Sequence, residues 1–262
     1  MTWGVLVIFY LFLAGLAAGA ALHGAARALS GDVASRKAGA GSLALAAGLV
    51  AAGAGLLTLE LERPSDVMML IFHANGHSAI SWGVRIIIAF AGCCFYCWSA
   101  VRHGDQPDRV GVVALRAAQF LAVALASYPG VVLIQADAIS LWSSWLLIPL
   151  LAVSGVHAGL SLSRWLAKEE PLERRREIGF IAATLLMFLL LVLDRSDSVN
   201  LMRMDGVGFL GLIGALGIGM LAPAALIFMN GSGTLRVICV VVGCLALRAW
   251  LMIGGQTQLS AV

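Results

Sequence analysis

The sequence predicts an all-α integral membrane protein, with eight transmembrane helices arranged as two tandem four-helix bundles. Three observations support this prediction. Hydrophobic residues make up 61% of the 262 residues and charged residues only 12%, about half the charged fraction of a soluble domain. Apolar runs of about 20 residues, the length that crosses a bilayer, recur along the chain. Two short patterns from the beginning of the chain also reappear, in the same order, in its second half.

Eight apolar segments are long enough, or nearly so, to cross a membrane. The first has no basic N-terminal region and no small-residue cleavage site, so we expect a retained helix rather than a signal peptide. The predicted segments are residues 3–28, 39–61, 80–101, 110–135, 143–166, 178–194, 207–229 and 234–253.

Lysine and arginine residues are unevenly distributed among the connections. Of the 17, 12 lie at the connections after the first, third, fifth and seventh segments, and 3 at those after the second, fourth and sixth. Cytoplasmic loops carry the excess of basic residues in membrane proteins, so both chain termini are predicted to lie outside the cytoplasm. Because these residues are scattered rather than gathered on one face, no nucleic-acid partner is expected.

The five cysteines all lie in apolar segments. Cys94 and Cys97 have the C-x-x-C spacing, which in other settings indicates redox chemistry or metal binding. Inside a spanning helix, small buried thiols pack as apolar side chains. The cysteines are therefore predicted to be structural, and no iron–sulfur or zinc site is indicated in this chain.

The internal repeat defines the predicted domains. The pattern G-x-x-A-G occurs at residues 15–19 and again at 155–159, and the acidic ends of the second and sixth segments, LLTLELERPSD and LLLVLDRSDS, are also alike. Four segments separate the copies, and an even number gives both copies the same orientation. We therefore predict a first bundle over residues 1–137, which carries the chemistry, and a supporting second bundle over residues 138–262.

The densest group of polar residues lies in residues 59–83, which join the second and third segments. Ionisable groups near a bilayer are costly, so they are candidates for function. Carboxylate and imidazole groups together transfer protons at physiological pH, which makes Glu60, Glu62, His73 and His77 the candidate proton carriers. His73 and His77 have no third ligand at a recognisable spacing, so no metal site is expected. The charged residues and histidines of this stretch, together with its tryptophan, are Glu60, Glu62, Arg63, Asp66, His73, His77 and Trp82.

Two of the three tyrosines lie within predicted spanning segments. Tyr10 is in the first segment, and Tyr128 precedes Pro129 in the fourth. A proline removes a backbone donor and favours a kink, and backbone groups freed in a membrane must be satisfied around a cavity. Tyr10 and Tyr128 are therefore candidate ligand-binding residues.

Other classes of function fit some of these features. His23 and His157 lie toward the cytoplasmic side of their segments, where they could hold a b-type haem between facing helices. A transporter also fits two repeated bundles, although its polar residues should then lie near the bilayer centre in both repeats. A subunit that serves only as an assembly anchor would need neither tyrosine hydroxyl.

Five short motifs, in this order and spacing, resemble those of the NrfD and polysulfide-reductase membrane subunits. Members of that family are eight-span, quinone-reactive subunits of multi-subunit redox complexes. The resemblance covers the first two-thirds of the chain, whereas the last three segments match only in length and glycine content. The motifs are residues 10–19, Leu-Glu-Arg-Pro at 61–64, Ser-Trp-Gly at 81–83, Tyr-Pro-Gly at 128–130, and Ser-Gly with a further Gly at 154–159.

The resemblance implies that a quinone or menaquinone binds in the first bundle near the outer face. Tyr10, Tyr128 and Arg63 match motif positions expected to bind it, and His73 is expected at the rim of the same pocket. The chain departs from the family pattern at Glu62, where members commonly have glycine, so the role of the acidic pair stays open.

The resemblance also implies partners. An iron–sulfur subunit of the ferredoxin type is expected to dock on the outer face, together with a molybdopterin catalytic subunit. The expected location is the inner, cytoplasmic membrane of a bacterial or archaeal cell. The chain itself is expected to carry no metal.

Overall fold

The computed structural model describes residues 4–30, 32–60, 79–135, 139–194, 213–229 and 231–259. Within these ranges the chain forms helices and no strands. The helices are α1 (Val5–Ala28), α2 (Val33–Glu60), α3 (Ala79–Val101), α4 (Arg109–Ile134), α5 (Leu147–Leu166), α6 (Arg174–Asp194), α7 (Ala222–Phe228) and α8 (Gly233–Leu259), with a 3-10 turn at Ser140–Ser143 and a π-helix at Gly214–Leu221 that runs into α7.

Seven of these helices, all except α7, are long and apolar enough to cross a membrane. Of the predicted seventh segment, the structure describes residues 213–229, which include the shorter apolar helix Leu216–Phe228 formed by part of the π-helix and α7. The all-helical, multi-pass class predicted from the sequence is therefore confirmed for the described residues. Pro129 lies inside α4, and the helix continues beyond it to Ile134.

The start of α2 differs from the prediction because polar residues extend the helix beyond its apolar segment. Asp32 precedes α2, and its Oδ2 accepts hydrogen bonds of 3.0 Å from the backbone N–H and the hydroxyl of Ser35. These bonds, typical of a helix N-cap, lower the pKa of the Asp32 carboxyl. Arg36 is buried, and its Nε donates to the carbonyl of Gly104 at 2.8 Å. Arg36, which the prediction assigned to a loop, thus joins α2 to the α3–α4 connection.

α1 is the central helix, in contact with α2, α4, α5 and α8. Successive helices from α1 to α4 contact one another, and the contact between α1 and α4 closes the ring. In the second half, α5 contacts α6 and α8, and α8 contacts both the π-helix and α7. The two groups meet where α5 packs on α1 and α4.

The two copies of the glycine motif pack directly against each other. A Cβ added at Gly15 would lie 3.0 Å from the Cα of Gly155, and one at Gly19 would lie 2.7 Å from the Cα of Gly159. Small residues allow such close backbone approach, the usual basis of helix packing in lipid. Because Gly15 faces Gly155 and Gly19 faces Gly159, α1 and α5 are parallel, as the repeat predicts.

The acidic ends of the second and sixth segments also make comparable contacts. Glu60, the last residue of α2, packs its carboxylate against Gly4, the N-cap of α1. Asp194, the last residue of α6, accepts a hydrogen bond of 2.7 Å from the hydroxyl of Ser144, just before α5. A carboxylate near a helix N-terminus is favoured by the positive end of the helix dipole. In each half, the second helix therefore ends beside the start of the first.

Candidate functional site

Tyr10 and Tyr128 lie in the same part of the protein, toward the face that contains Gly4 and the end of α2. The side chain of Tyr10 on α1 is only 3% exposed, and Tyr128 on α4 is also buried. The helices that carry them, α1 and α4, pack against each other. The structure thus places on neighbouring helices two residues that the sequence separates by two whole helices and most of two others.

Glycines on two neighbouring helices lie against these rings. A Cβ at Gly53 on α2 would make an ordinary contact, 3.4 Å from Cδ2 of Tyr10. On α3, Cζ and the hydroxyl oxygen of Tyr128 already occupy the position that a Cβ at Gly83 would take. Gly83 belongs to the Ser-Trp-Gly motif, and its packing role was not predicted. We refer to Tyr10, Gly53, Gly83 and Tyr128 as the tyrosine site.

The hydroxyl of Tyr10 is buried and has no hydrogen-bond partner among the described residues. Leaving a buried polar group unpaired costs about 1–3 kcal/mol, so such groups are uncommon and call for an explanation. A bound molecule with a hydrogen-bond acceptor would remove this cost. The tyrosine site therefore has the chemistry of a ligand-binding site.

A hydrogen bond joins two helix ends near the tyrosine site. The backbone N–H of Ala79, the first residue of α3, donates to Oε1 of Gln135 at 3.3 Å, which ties the start of α3 to the end of α4. The guanidinium of Arg85 lies 5.5 Å from the centre of the Trp82 ring, a cation–π arrangement. Trp82 itself is about half exposed. The predicted site residues Glu62, Arg63, His73 and His77 lie outside the described residues, so their roles stay predictions.

His23 lies in a second polar group, at the opposite end of α1. Its Nδ1 is 2.9 Å from the hydroxyl of Ser163 and its Nε2 is 3.1 Å from Oε2 of Glu169. The other carboxylate oxygen of Glu169 lies 2.9 Å from Nε of Arg27. We call His23, Arg27, Ser42, Ser163 and Glu169 the histidine cluster; it connects α1, α2, α5 and the α5–α6 connection.

His157 lies in a different environment from His23. Its ring stacks on Phe180 of α6, with ring centres 5.1 Å apart and planes 4° from parallel. His23 instead hydrogen-bonds with Ser163 and Glu169. Both ring nitrogens of His23 are engaged within the protein, so these contacts do not favour the pair of haem ligands considered from the sequence.

Arg248 forms a polar group that sequence reasoning did not identify. Its side chain is 1% exposed in the middle of α8, and its guanidinium donates to carbonyls on three helices. Nε donates to Leu11 on α1 at 3.1 Å, Nη2 to Leu151 on α5 at 3.1 Å, and Nη1 to Cys244 within α8 at 3.2 Å. The sequence did contain one signal of this group, an arginine inside an apolar segment. It could not show which carbonyls accept from Arg248, because Leu11 and Leu151 are distant from it along the chain.

The prediction of buried thiols holds for three of the five cysteines. Cys94 and Cys97 in α3 and Cys244 in α8 are buried, Cys93 and Cys239 are partly exposed, and all five are free. The thiol of Cys93 donates to the carbonyl of Ala114 on α4 at 3.2 Å. Within the described ranges, no group of three or more His, Cys, Asp or Glu side chains could hold a metal ion.

The helices and these sites define a multi-pass α-helical membrane protein with polar groups buried between its spanning helices. The chain belongs to the polysulphide reductase NrfD family, because the sequence model described as "Polysulphide reductase, NrfD" matches residues 1–260. The family comprises membrane subunits of polysulfide reductase-type oxidoreductases, which generally associate with iron–sulfur and catalytic subunits. No curated protein matches the chain. The resemblance inferred from five motifs is confirmed, and it extends over the last three segments.

Proposed function

We propose that the chain is the quinone- or quinol-reactive membrane anchor of a multi-subunit respiratory oxidoreductase. It exchanges electrons with an iron–sulfur partner docked on its outer face, in a complex that also contains a molybdopterin catalytic subunit. The observation that carries the proposal is the buried Tyr10 hydroxyl, which lacks a partner among the described residues and lies on a helix that packs against the helix carrying Tyr128. Membership of the NrfD family supports the redox class.

The two tyrosines suit the binding of a quinone. Each phenol has one O–H donor, and the carbonyl oxygens of a quinone are hydrogen-bond acceptors. When bound, the quinone supplies two-electron chemistry that is coupled to proton uptake or release. Tyr10 and Tyr128 bind and orient its carbonyl groups, and their apolar surroundings exclude water from these hydrogen bonds.

Protons pass between the tyrosine site and the outer water through the residues that join α2 to α3. Glu62 and His77 are the proposed carriers, because a carboxylate and an imidazole exchange protons at physiological pH. Arg63 and His73 contribute to the rim of the pocket. These roles follow from the resemblance, together with the position of Glu60 at the end of α2 and of Ala79 at the start of α3.

The protein is organised as two tandem bundles, with the chemistry in the first. The ring of contacts among α1 to α4, the parallel packing of Gly15 on Gly155, and the similar contacts of Glu60 and Asp194 support this arrangement. Both termini and the tyrosine site then lie on the outer side of the membrane, as the distribution of basic residues predicts.

Replacing Tyr128 with phenylalanine tests the proposal in the assembled complex. Removing one hydrogen bond to the quinone should lower quinol-linked turnover about 10-fold, which corresponds to ~1.4 kcal/mol. Tyr96→Phe is the matched control, because Tyr96 is an exposed tyrosine on α3. Turnover equal in the two variants would contradict the proposal and favour a subunit that serves only for assembly.

An absorption spectrum of the subunit purified without its partners separates the proposal from a b-type cytochrome. A quinone-reactive anchor without a redox metal should be colourless above the aromatic absorption band. A haem Soret band that disappears in His23→Ala would overturn the proposal.

A further inference from the structure

A small cavity lies between α5, α6, α8 and the π-helix. Its volume is about 20 Å³, and Ser154, His157, Thr184 and Cys244 contribute the polar part of its lining. A buried site needs roughly 10–15 Å³, and two to four polar partners, to hold one water molecule. The cavity therefore has room for one water and the side chains to bind it.

His157 supplies an atom that lacks a partner. The residue is only 4% exposed, and its Nε2 is buried without a hydrogen bond to any described residue. The stacked ring of Phe180 covers one face of the imidazole, so a partner for Nε2 must lie at the edge of the ring. The cavity provides space for such a partner.

The two hydroxyls that line the cavity have already used their hydrogens. Ser154 donates to the carbonyl of Leu151 at 3.2 Å, and Thr184 donates to the carbonyl of Phe180 at 2.8 Å. Because a hydroxyl has a single hydrogen but two lone pairs, both oxygens can only accept from a third group. The cavity thus contains two acceptors and one nitrogen whose role depends on the tautomer.

We propose that this cavity binds one ordered water molecule, which joins His157 to the polar group around Arg248. The water donates its two hydrogens to the oxygens of Ser154 and Thr184 and accepts the hydrogen of Nε2–H of His157. Three hydrogen bonds are typical of a buried water. Ser154 also accepts from Nη1 of Arg248 at 3.4 Å, so the chain of hydrogen bonds runs from His157 through the water to Arg248 and on to Leu11 of α1.

A structure of the full-length protein in lipid nanodiscs, at a resolution that shows ordered water, tests the proposal directly. We expect a density peak within hydrogen-bond distance of Nε2 of His157 and of both hydroxyl oxygens. An empty cavity in a map that shows ordered water elsewhere in the protein would overturn the proposal.

Variants of Thr184 provide a second test with a matched control. Thr184→Val removes one acceptor of the water and should lower the thermal unfolding midpoint by about 2–4 °C. Thr184→Ser keeps the hydroxyl and should recover most of that loss. Thr58 on α2 makes the same kind of bond, to the carbonyl of Ala54 at 2.8 Å, but does not line the cavity. Equal losses in Thr184→Val and Thr58→Val would count against the water site.

The tautomer of His157 gives a third test. Nitrogen-15 NMR of labelled histidine should place the hydrogen on Nε2, with the signal assigned by its loss in His157→Gln. The glutamine side chain amide can also donate to the water, so that variant should keep the density peak, whereas His157→Phe should lose it. A hydrogen on Nδ1 instead of Nε2 would contradict the proposed arrangement.

Discussion

Tyr10 and His23 lie on the same helix and are buried to nearly the same degree, yet their polar atoms are in opposite situations. The hydroxyl of Tyr10 has no partner among the described residues. Both nitrogens of His23 have one: Ser163 lies at 2.9 Å from Nδ1 and Glu169 at 3.1 Å from Nε2. The difference suggests that the histidine cluster stabilises the fold, whereas the tyrosine site is completed by a bound molecule.

This comparison gives a criterion for choosing among buried polar residues in a membrane protein. Burial alone does not separate a functional group from a structural one, because both are costly in lipid and both recruit partners. Partners among the described residues do distinguish His23, whose two ring nitrogens are both paired, from Tyr10, whose hydroxyl is not. Changes in the tyrosine site should therefore affect turnover more than stability, and changes in the histidine cluster should do the reverse.

The largest effect on turnover is expected from Gly83→Ala. The added methyl group would occupy the space that holds Cζ and the hydroxyl of Tyr128, so the ring must move. Quinol-linked turnover should fall by more than the roughly 10-fold expected for Tyr128→Phe, because the displaced ring also obstructs the site. Gly92→Ala on the same helix is the control, since a Cβ there would meet no atom within 4 Å. Similar turnover in the two glycine variants would show that the position of Tyr128 is unimportant.

Tyr10→Phe tests the comparison itself, because it should lower turnover without lowering stability. Turnover is expected to fall about 10-fold through loss of one hydrogen bond. The thermal unfolding midpoint without quinone should stay the same or rise, since the substitution removes a buried hydroxyl that has no partner among the described residues. A clear fall in the midpoint would mean that the hydroxyl already has a partner in the protein, and Tyr10 would then belong with His23.

Hydropathy was sufficient to predict most of the fold. Seven of the eight predicted segments are long apolar helices, and the parallel orientation of the two repeats follows from counting segments. The sequence placed the start of α2 at residue 39 instead of Val33, because a hydropathy profile assigns a charged residue such as Arg36 to a loop. In the structure its charge is compensated by the carbonyl of Gly104, which is distant in sequence.

The candidate site was predicted only in part. The sequence identified Tyr10 and Tyr128, because phenols are rare in this chain and stand out in apolar segments. It did not reveal that Gly83 admits the ring of Tyr128, nor that Arg248 donates to Leu11 and Leu151. Both facts depend on which helix faces which, and that information is absent from the periodicity of a single sequence.

The smallest effect on turnover is expected from Glu169→Gln in the histidine cluster. The carboxylate is mostly buried and lies near His23, Arg27 and Arg164, so neutralising it leaves buried donors poorly paired. We expect a loss of about 1–3 kcal/mol in the free energy of unfolding, measured in denaturant, with the KM for quinol unchanged.

Glu173→Gln is the matched control for that substitution. Its carboxylate is largely exposed and, among the described residues, pairs only with the exposed Arg176 three residues further along the chain, a kind of ion pair that contributes little. If Glu169→Gln raised the KM for quinol while Glu173→Gln did not, the histidine cluster would be coupled to the tyrosine site along α1. The separation of the two regions into structural and ligand-binding roles would then be wrong, and His23 would have to be included in the description of the quinone site.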